Sequence, residues 1–193
     1  PGGRGLVVEV SSSLCRVDVA GRVLLCGLRG VLSAAESGVT HVVAVGDEVI
    51  VHDDGHGQGV VEAVLPRRSV LARPDVFHSH LKQIIAANVD QLLIVASWRE
   101  PPLWPELIDR YLIGAERNGL APIICVNKVD LAADLSECQA VLDAYVCAGY
   151  RVIYASARTG YGVDALRAML QGRGTALAGL SGVGKSSLLA AVQ

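Results

Sequence analysis

Residues 179–187, Gly-Leu-Ser-Gly-Val-Gly-Lys-Ser-Ser, decide the fold of this 193-residue chain. They fit the pattern of a glycine, four further residues and Gly-Lys-Ser. An apolar run, Thr175–Ala178, precedes them and a helical run follows, so the sequence predicts a strand, a phosphate-binding loop and a helix start. The glycines let backbone N–H groups point at phosphate oxygens, and the helix N-terminus adds partial positive charge. The pattern therefore predicts binding of a nucleoside triphosphate rather than a plain glycine-rich turn.

The whole loop supplies the candidate phosphate-binding residues. We expect Lys185 to reach the β- and γ-phosphates and the Ser186 hydroxyl to coordinate Mg²⁺. The sequence assigns a catalytic role to no residue beyond Lys185. The full set is Gly179, Leu180, Ser181, Gly182, Val183, Gly184, Lys185, Ser186 and Ser187.

Two shorter motifs follow other apolar runs and predict a site for guanine. Asn127-Lys128-Val129-Asp130 comes after Ala121–Val126, and Ser156-Ala157-Arg158 comes after Tyr154-Ala155. A carboxylate at Asp130 can accept from both N1–H and the amino group of guanine, a donor pair that adenine lacks. A wrong base would leave that carboxylate unpaired, which is costly. The candidate base-binding residues are Asn127 (bonding the N7/O6 edge), Lys128 (its stem on the ring face), Asp130, Ser156, Ala157 (its N–H donating to O6) and Arg158.

From residue 82 onward, apolar strand runs alternate with helical periods, which predicts a parallel sheet covered on both faces. Ligands of such sheets bind at the carboxyl ends of the strands, where all three motifs lie. The predicted strands are Gln83–Val89, Gln91–Ser97, Ala121–Val126, Arg151–Ala155 and Thr175–Ala178, and the predicted helices cover about 104–115, 136–148 and 163–170.

The first 74 residues contain short β-rich runs separated by turn residues, without a helical period. This pattern predicts a small antiparallel barrel such as an OB-fold, although an SH3-like barrel would look the same in sequence. The predicted strands are Gly5–Val10, Leu14–Val19, Arg22–Cys26, His41–Val45, Glu48–His52 and Gly59–Leu65. We therefore predict a barrel domain over residues 1–74 and a nucleotide-binding domain over residues 75–193, joined by an extended connector, Pro66–Pro74.

Composition limits the function classes. No apolar run approaches the ~20 residues that span a bilayer, so no membrane partner is expected. The five cysteines include no Cys-x-x-Cys pair, which favours reduced, buried thiols and a cytoplasmic protein. Net charge is −2, yet the first 74 residues contain seven arginines and no lysine. Arginine suits phosphate contact, so this bias suggests RNA, with ordinary surface charge as the alternative. Arg67 and Arg68 are candidates for rRNA contact, or for attaching the barrel to the second domain.

The order of the motifs is unusual, because the guanine motifs precede the phosphate loop. An ordinary GTPase has the opposite order, so the sequence indicates a circularly permuted GTPase domain, truncated after the phosphate loop. With a β-barrel in front, the chain resembles the ribosome small-subunit-dependent GTPases of the RsgA or YjeQ family. The resemblance lies in residues 59–74 (GVVEAVLPRRSVLARP), 85–95 (IAANVDQLLIV), 109–112 (DRYL), 127–131 (NKVDL) and 179–188 (GLSGVGKSSL).

This resemblance implies GTP hydrolysis to GDP and phosphate, with Mg²⁺, stimulated by the small ribosomal subunit. It also implies an OB-fold that docks on that subunit and its rRNA, a role in late subunit maturation, and a monomer. Two alternatives remain: an RNA- or ribosome-binding module that binds GTP without turnover, and a phosphate-loop kinase or ATPase with accidental guanine motifs.

The chain departs from the family pattern in two ways. Family members typically have Ser-Ala-Lys where this chain has Ser156-Ala157-Arg158, and we expect the arginine stem to cover the base equally well. The switch segment with Asp-x-x-Gly and a zinc-binding region that holds one Zn²⁺ are expected after Gln193. Asp54-Gly55-His56-Gly57 matches Asp-x-x-Gly formally, but it lies in a predicted barrel hairpin.

Overall fold

A computed structural model describes residues 2–11, 14–28, 42–74 and 82–193. The chain divides into two compact units, Pro1–Val89 and Asp90–Gln193. Among the described residues, the helices are all too short or too polar to cross a membrane.

The first unit is built around a closed five-stranded barrel. Its strands are β1 (Gly3–Val10), β2 (Leu14–Val19), β3 (Arg22–Leu28), β4 (Glu48–Asp53) and β5 (Gln58–Val64), in the order β1-β2-β3-β5-β4. All pairs are antiparallel except β3 and β5, which pair in parallel. Alternate residues such as Val17, Leu24 and Val51 point inward and are buried, as the period of two requires. This topology is OB-like, and the parallel pair distinguishes it from an all-antiparallel SH3-like barrel.

The predicted strand over His41–Val45 is wrong within the described residues. Residues 42–44 form no strand, and Val45 makes only an isolated bridge to Ala86. The reason is a carboxylate: Ala44 N–H donates to Asp47 Oδ2 at 2.8 Å, and Asp47 N–H donates to the Ala44 carbonyl at 3.1 Å. These bonds fold the segment around Asp47, which is fully buried.

The predicted connector and the first predicted strand of the sheet form a hairpin instead. Strand β6 (Val70–Pro74) pairs antiparallel with β7 (Lys82–Ala87). The Asn88 side chain then holds the end of β7 to the barrel unit, because its Nδ2 donates to the Gly46 carbonyl at 2.9 Å and its Oδ1 accepts from Arg68 N–H at 2.8 Å. The compact units consequently divide after Val89, whereas the domain boundary predicted from sequence falls after residue 74.

The second unit contains a four-stranded parallel sheet in the order β10-β9-β8-β11. Its elements, in chain order, are β8 (Gln91–Ser97), α1 (Pro105–Arg117), β9 (Ala121–Asn127), α2 (Leu135–Cys147), β10 (Arg151–Tyr154), α3 (Val163–Leu170), β11 (Thr175–Ala178) and α4 (Lys185–Val192). The central strands β8 and β9 are almost wholly buried, which explains their uninterrupted apolar sequences. Pro105 opens α1 and the Asp134 side chain caps α2 by accepting from Ser136 N–H.

Candidate nucleotide-binding site

The motifs predicted from sequence meet at one edge of the parallel sheet. Because β8, β9, β10 and β11 run in the same direction, their carboxyl ends lie together. An open cleft of about 490 Å³ lies there, a size typical of ligand pockets. It is lined by Glu100, Asn127, Lys128, Asp130, Leu131, Ala157, Arg158, Gly184 and Ser187.

Asn127 ties the phosphate loop to the loop after β10. Its Nδ2 donates to the Val183 carbonyl at 2.9 Å, and its Oδ1 accepts from Ala157 N–H at 3.1 Å. The residue is only 2% exposed, so both bonds are shielded from water. The sequence assigned Asn127 and the Ala157 N–H to the base edge, but here they bond to each other. Asn127 therefore acts as a brace between two of the three motifs, and its contact with the base stays a prediction.

Asp130 presents a carboxylate with partners on both oxygens. The Ser156 hydroxyl donates to Oδ1, and Arg158 Nη2 lies 2.8 Å from Oδ2. The hydrogen bond from Ser156, aided by the positive charge of Arg158, lowers the pKa of Asp130 below its ordinary value. Ser156 is fully buried and also accepts from Thr159 N–H at 3.2 Å, which fixes its position. The site thus holds an ionised acceptor, the group that a guanine N1–H and amino group need.

The phosphate loop requires glycine at two positions for steric reasons. A Cβ on Gly179, where φ is +143°, would lie 2.2 Å from the Val95 carbonyl oxygen. A Cβ on Gly184, where φ is +90°, would lie 2.4 Å from Asn127 Nδ2. The first glycine lets the loop cross the end of β8, and the second lets α4 begin directly beside the Asn127 brace.

Lys185 folds back over its own loop. Its Nζ donates to the Gly179 carbonyl at 3.0 Å and to the Leu180 carbonyl at 2.7 Å. Ser186 and Ser187 are exposed in the first turn of α4. N–H groups in a first helical turn have no acceptor within the helix, so they suit an anion. A hydroxyl at Ser186 also fits Mg²⁺, which keeps several waters and takes other ligands from substrate phosphates.

A fourth loop at this edge contains none of the motifs recognised in the sequence and was missed there. It connects β8 to α1, and its Glu100 carbonyl accepts a hydrogen bond from Lys128 Nζ. The Ser97 hydroxyl donates to the Pro101 carbonyl at 2.7 Å, which fixes the start of the loop. The position of this loop in the chain could have revealed it, because any loop at the carboxyl end of β8 lies beside the loops after β9 and β11.

The histidine and cysteine residues do not add a metal site to the described part of the chain. No group of three or more His, Cys, Asp or Glu side chains converges among the described residues. His52 and His56 are exposed on the barrel, and His78 and His80 lie outside the described residues. Cys15, Cys26, Cys125 and Cys138 are buried free thiols, and burial raises the pKa of Cys125 to about 12.

Comparison with known proteins agrees with this geometry. A family model described as RsgA GTPase matches residues 64–193. Two relatives called small ribosomal subunit biogenesis GTPase RsgA, from Sodalis glossinidius and Pseudomonas aeruginosa, are 43% and 40% identical over 91% and 97% of the chain. Two solved structures are also similar. YjeQ from Thermotoga maritima has a TM-score of 0.79 with 34% identity, covering 100% of this chain and 66% of that one. YloQ, described as a circularly permuted GTPase, has a TM-score of 0.73 with 30% identity, covering 98% and 63%.

The fold and the site together define an α/β phosphate-loop domain with circularly permuted motif order, preceded in the chain by an OB-like barrel. The chain belongs to the RsgA GTPase family. It spans about half the length of the curated relatives it matches, 49% of the Sodalis protein and 51% of the Pseudomonas protein.

Proposed function

We propose that the protein containing this chain binds GTP with Mg²⁺ and hydrolyses it to GDP and phosphate on the small ribosomal subunit, during late maturation of that subunit. The observation that carries the proposal is the cleft shared by the Asp130 carboxylate and the phosphate loop. One end offers an ionised acceptor for guanine, and the other offers first-turn N–H groups for phosphates. The names of the relatives, small ribosomal subunit biogenesis GTPase, support the subunit as partner.

The proposed role of each residue follows from its position in the site. Lys185 already lies across the phosphate loop, bonded to two of its carbonyls, and would exchange those bonds for β- and γ-phosphate oxygens. Ser186 would hold Mg²⁺, which neutralises charge that develops on the phosphates during transfer. Asn127 keeps the phosphate loop and the base-binding loop in a fixed relation, so that one nucleotide meets both.

We propose that the barrel docks on rRNA. The contacts of its arginines in the structure support this proposal less than their number in the sequence did. Arg4, Arg16 and Arg22 are exposed, but each is paired with an acid: Glu48, Glu9 and Asp53 respectively. Arg67 is largely buried against Asp47 within the barrel unit, with its Nε 2.7 Å from Oδ1. Support for RNA contact therefore comes from the OB-like topology, a fold that binds oligonucleotides, and from the small ribosomal subunit in the relatives' names.

Nucleotide selectivity tests the proposal. Asp130→Asn replaces one carboxylate acceptor with an amide donor, so preference should move from GTP towards xanthosine triphosphate, which has a carbonyl in place of the guanine amino group. Competition between the two nucleotides for the intact protein measures this shift. The matched control is Asp134→Asn, which caps α2 equally well and lies outside the cleft lining. Unchanged preference for GTP in Asp130→Asn would remove Asp130 from the base site, and a preference for ATP in the unmodified protein would favour a kinase or ATPase.

A further inference from the structure

One contact in the cleft, the ion pair between Arg158 and Asp130, would interfere with guanine binding. The Arg158 guanidinium is within 2.8 Å of Asp130 Oδ2, while the Ser156 hydroxyl occupies Oδ1. The Asp130 side chain is only 12% exposed, whereas that of Arg158 is 75% exposed. The partly buried acceptor is therefore covered by a side chain that extends into solvent and can move without disturbing the core.

The Arg158 guanidinium resembles the edge of guanine that would bind Asp130. A guanidinium is a planar array of N–H donors around one carbon, and it matches a carboxylate in geometry. The N1–H and amino group of guanine form the same kind of array, with two donors flanking a single ring carbon. Lone pairs alone would let Ser156, Arg158 and a base share the two oxygens, because each carboxylate oxygen has two of them. Arg158 competes for space instead, since its side chain lines the same cleft through which a base would approach Oδ2.

We propose that Arg158 is an internal competitor for the guanine-recognition carboxylate, and that it must leave Asp130 before the base can bind. This inference rests on the proposed function, since it concerns the same nucleotide site. The apparent dissociation constant then equals the intrinsic constant divided by the fraction of molecules in which Asp130 is uncovered. The ion pair is exposed on the arginine side, so its removal should strengthen guanine-nucleotide binding by about two- to fivefold, the range for a surface ion pair.

Removing the guanidinium while keeping an apolar stem provides the direct test. Arg158→Met leaves a chain that can still cover the base but cannot pair with Asp130. Stopped-flow binding of GDP carrying a fluorescent methylanthraniloyl group on the ribose gives both rate constants for the intact protein. We expect a two- to fivefold faster association with little change in dissociation. Arg151→Met is the matched control, because Arg151 is exposed at the opposite end of β10 and should leave both constants unchanged.

The opposite result would overturn the proposal. If Arg158→Met leaves GDP affinity unchanged, or weakens it, then Arg158 does not compete, and weakening would make it a base-contacting residue. A second pair of measurements isolates the carboxylate. In an Asp130→Asn background, with xanthosine diphosphate as ligand, the Arg158→Met effect should fall below twofold, because the charge that held the guanidinium is gone. An undiminished effect there also contradicts competition at Asp130.

These outcomes are separable from failure of the proposed function. If the unmodified protein binds no guanine nucleotide, the proposed function is wrong. If it binds GDP with the selectivity expected of Asp130 while Arg158→Met fails to tighten binding, only the competitor is wrong. Thermal unfolding of each variant accompanies the kinetics: the midpoint should fall by no more than a few degrees in Arg158→Met, which loses the pair with Asp130, and should stay unchanged in Arg151→Met.

Discussion

At the residue scale, the barrel unit depends on one buried charge pair. Asp47 is fully buried, and Arg67 donates to both of its carboxylate oxygens at 2.7 Å as well as to the Val42 carbonyl. A bidentate pair of this kind satisfies the carboxylate and fixes the segment before β4. The Arg67 side chain is 18% exposed, so it has little surface left for rRNA.

Arg67→Met should therefore destabilise the protein strongly. Removing one partner of a buried pair leaves an uncompensated charge, which costs about 3–5 kcal/mol. Chemical denaturation measures the change in the free energy of unfolding. Arg4→Met is the control, since its pair with Glu48 is exposed and should contribute less than about 1 kcal/mol. Adding Asp47→Asn to Arg67→Met should recover part of the loss, and equal stability in Arg67→Met and Arg4→Met would contradict a structural role.

Lys185 and Ser186 differ in what they are expected to supply, although they are adjacent. Under the proposed function, Lys185→Ala would remove the charge that faces the β- and γ-phosphates, and Ser186→Ala would remove a Mg²⁺ ligand. Both variants of the intact protein should lose nearly all GTP hydrolysis, and only the loss in Ser186→Ala should vary strongly with Mg²⁺ concentration. Phosphate release across a magnesium titration distinguishes the two. Unmodified turnover in either variant would refute the assignment.

The sequence predicted which motifs come together in space better than it predicted what each residue bonds to. Asp130, Asn127 and the phosphate loop converge as expected, because each lies at the carboxyl end of a strand of one parallel sheet. The Asn127 bond to Val183 and the Arg158 pair with Asp130 join segments far apart in the chain. Such pairings depend on where loops meet in space, and motif spacing contains no information about that.

At the scale of elements, the phosphate loop and the Asn127 brace act as one unit. The Gly184 Cα lies so near Asn127 Nδ2 that an added methyl group would displace the amide. Displacement would break the 2.9 Å bond to the Val183 carbonyl and free the loop from β9. The shape of the loop is thus maintained partly by a residue of another motif.

Gly184→Ala should consequently impair nucleotide binding beyond its effect on stability. A broken buried hydrogen bond costs about 1–3 kcal/mol, which corresponds to roughly 5- to 150-fold in affinity if the loop must re-form on binding. Gly172→Ala is the matched control, because its φ is also positive, +71°, but its Cβ would meet nothing within 4 Å. It should show the backbone cost of about 1–2 kcal/mol alone. Titration with GDP and thermal unfolding of both variants separate the two effects, and equal GDP affinities would contradict the brace.

Element boundaries in the second unit were predictable because their signals are local. Pro105 and Asp134 mark helix starts, and uninterrupted apolar runs mark the buried strands β8 and β9. The partner of β7 was not predictable. Its apolar sequence fits a parallel sheet as well as a hairpin, and the choice depends on a distant hydrogen bond from Asn88 to Gly46 and on contacts of Ile84 and Ala87 with Ala44.

At the scale of the whole molecule, the order of the motifs along the chain does not determine how they are arranged in the fold. The strand that leads into the phosphate loop, β11, is the last strand in sequence but pairs with the first strand of the sheet, β8. The same edge therefore assembles although the guanine motifs come first. All the candidate nucleotide-binding residues lie within Asp90–Gln193, so this unit contains them without any contribution from the barrel unit.

This division predicts that nucleotide binding and ribosomal stimulation are separable. Deleting residues 1–89 from the intact protein should leave GDP affinity within about twofold, because every described cleft residue is retained. The same deletion should abolish stimulation of GTP hydrolysis by small ribosomal subunits, since the OB-like barrel is the proposed docking domain. GDP titration and phosphate release with and without purified subunits measure the two properties on one sample.

A second deletion, which ends at a different residue, provides the control. Deleting only residues 1–74 leaves β7 without β6 and Asn88 without Gly46, so an unpaired strand edge remains attached to the second unit. That variant should bind GDP equally well but self-associate, which sedimentation detects, whereas the cut at residue 89 should not. If the two deletions behave alike, the division after Val89 has no energetic consequence. If subunits still stimulate hydrolysis after residues 1–89 are removed, ribosome contact belongs to another part of the protein.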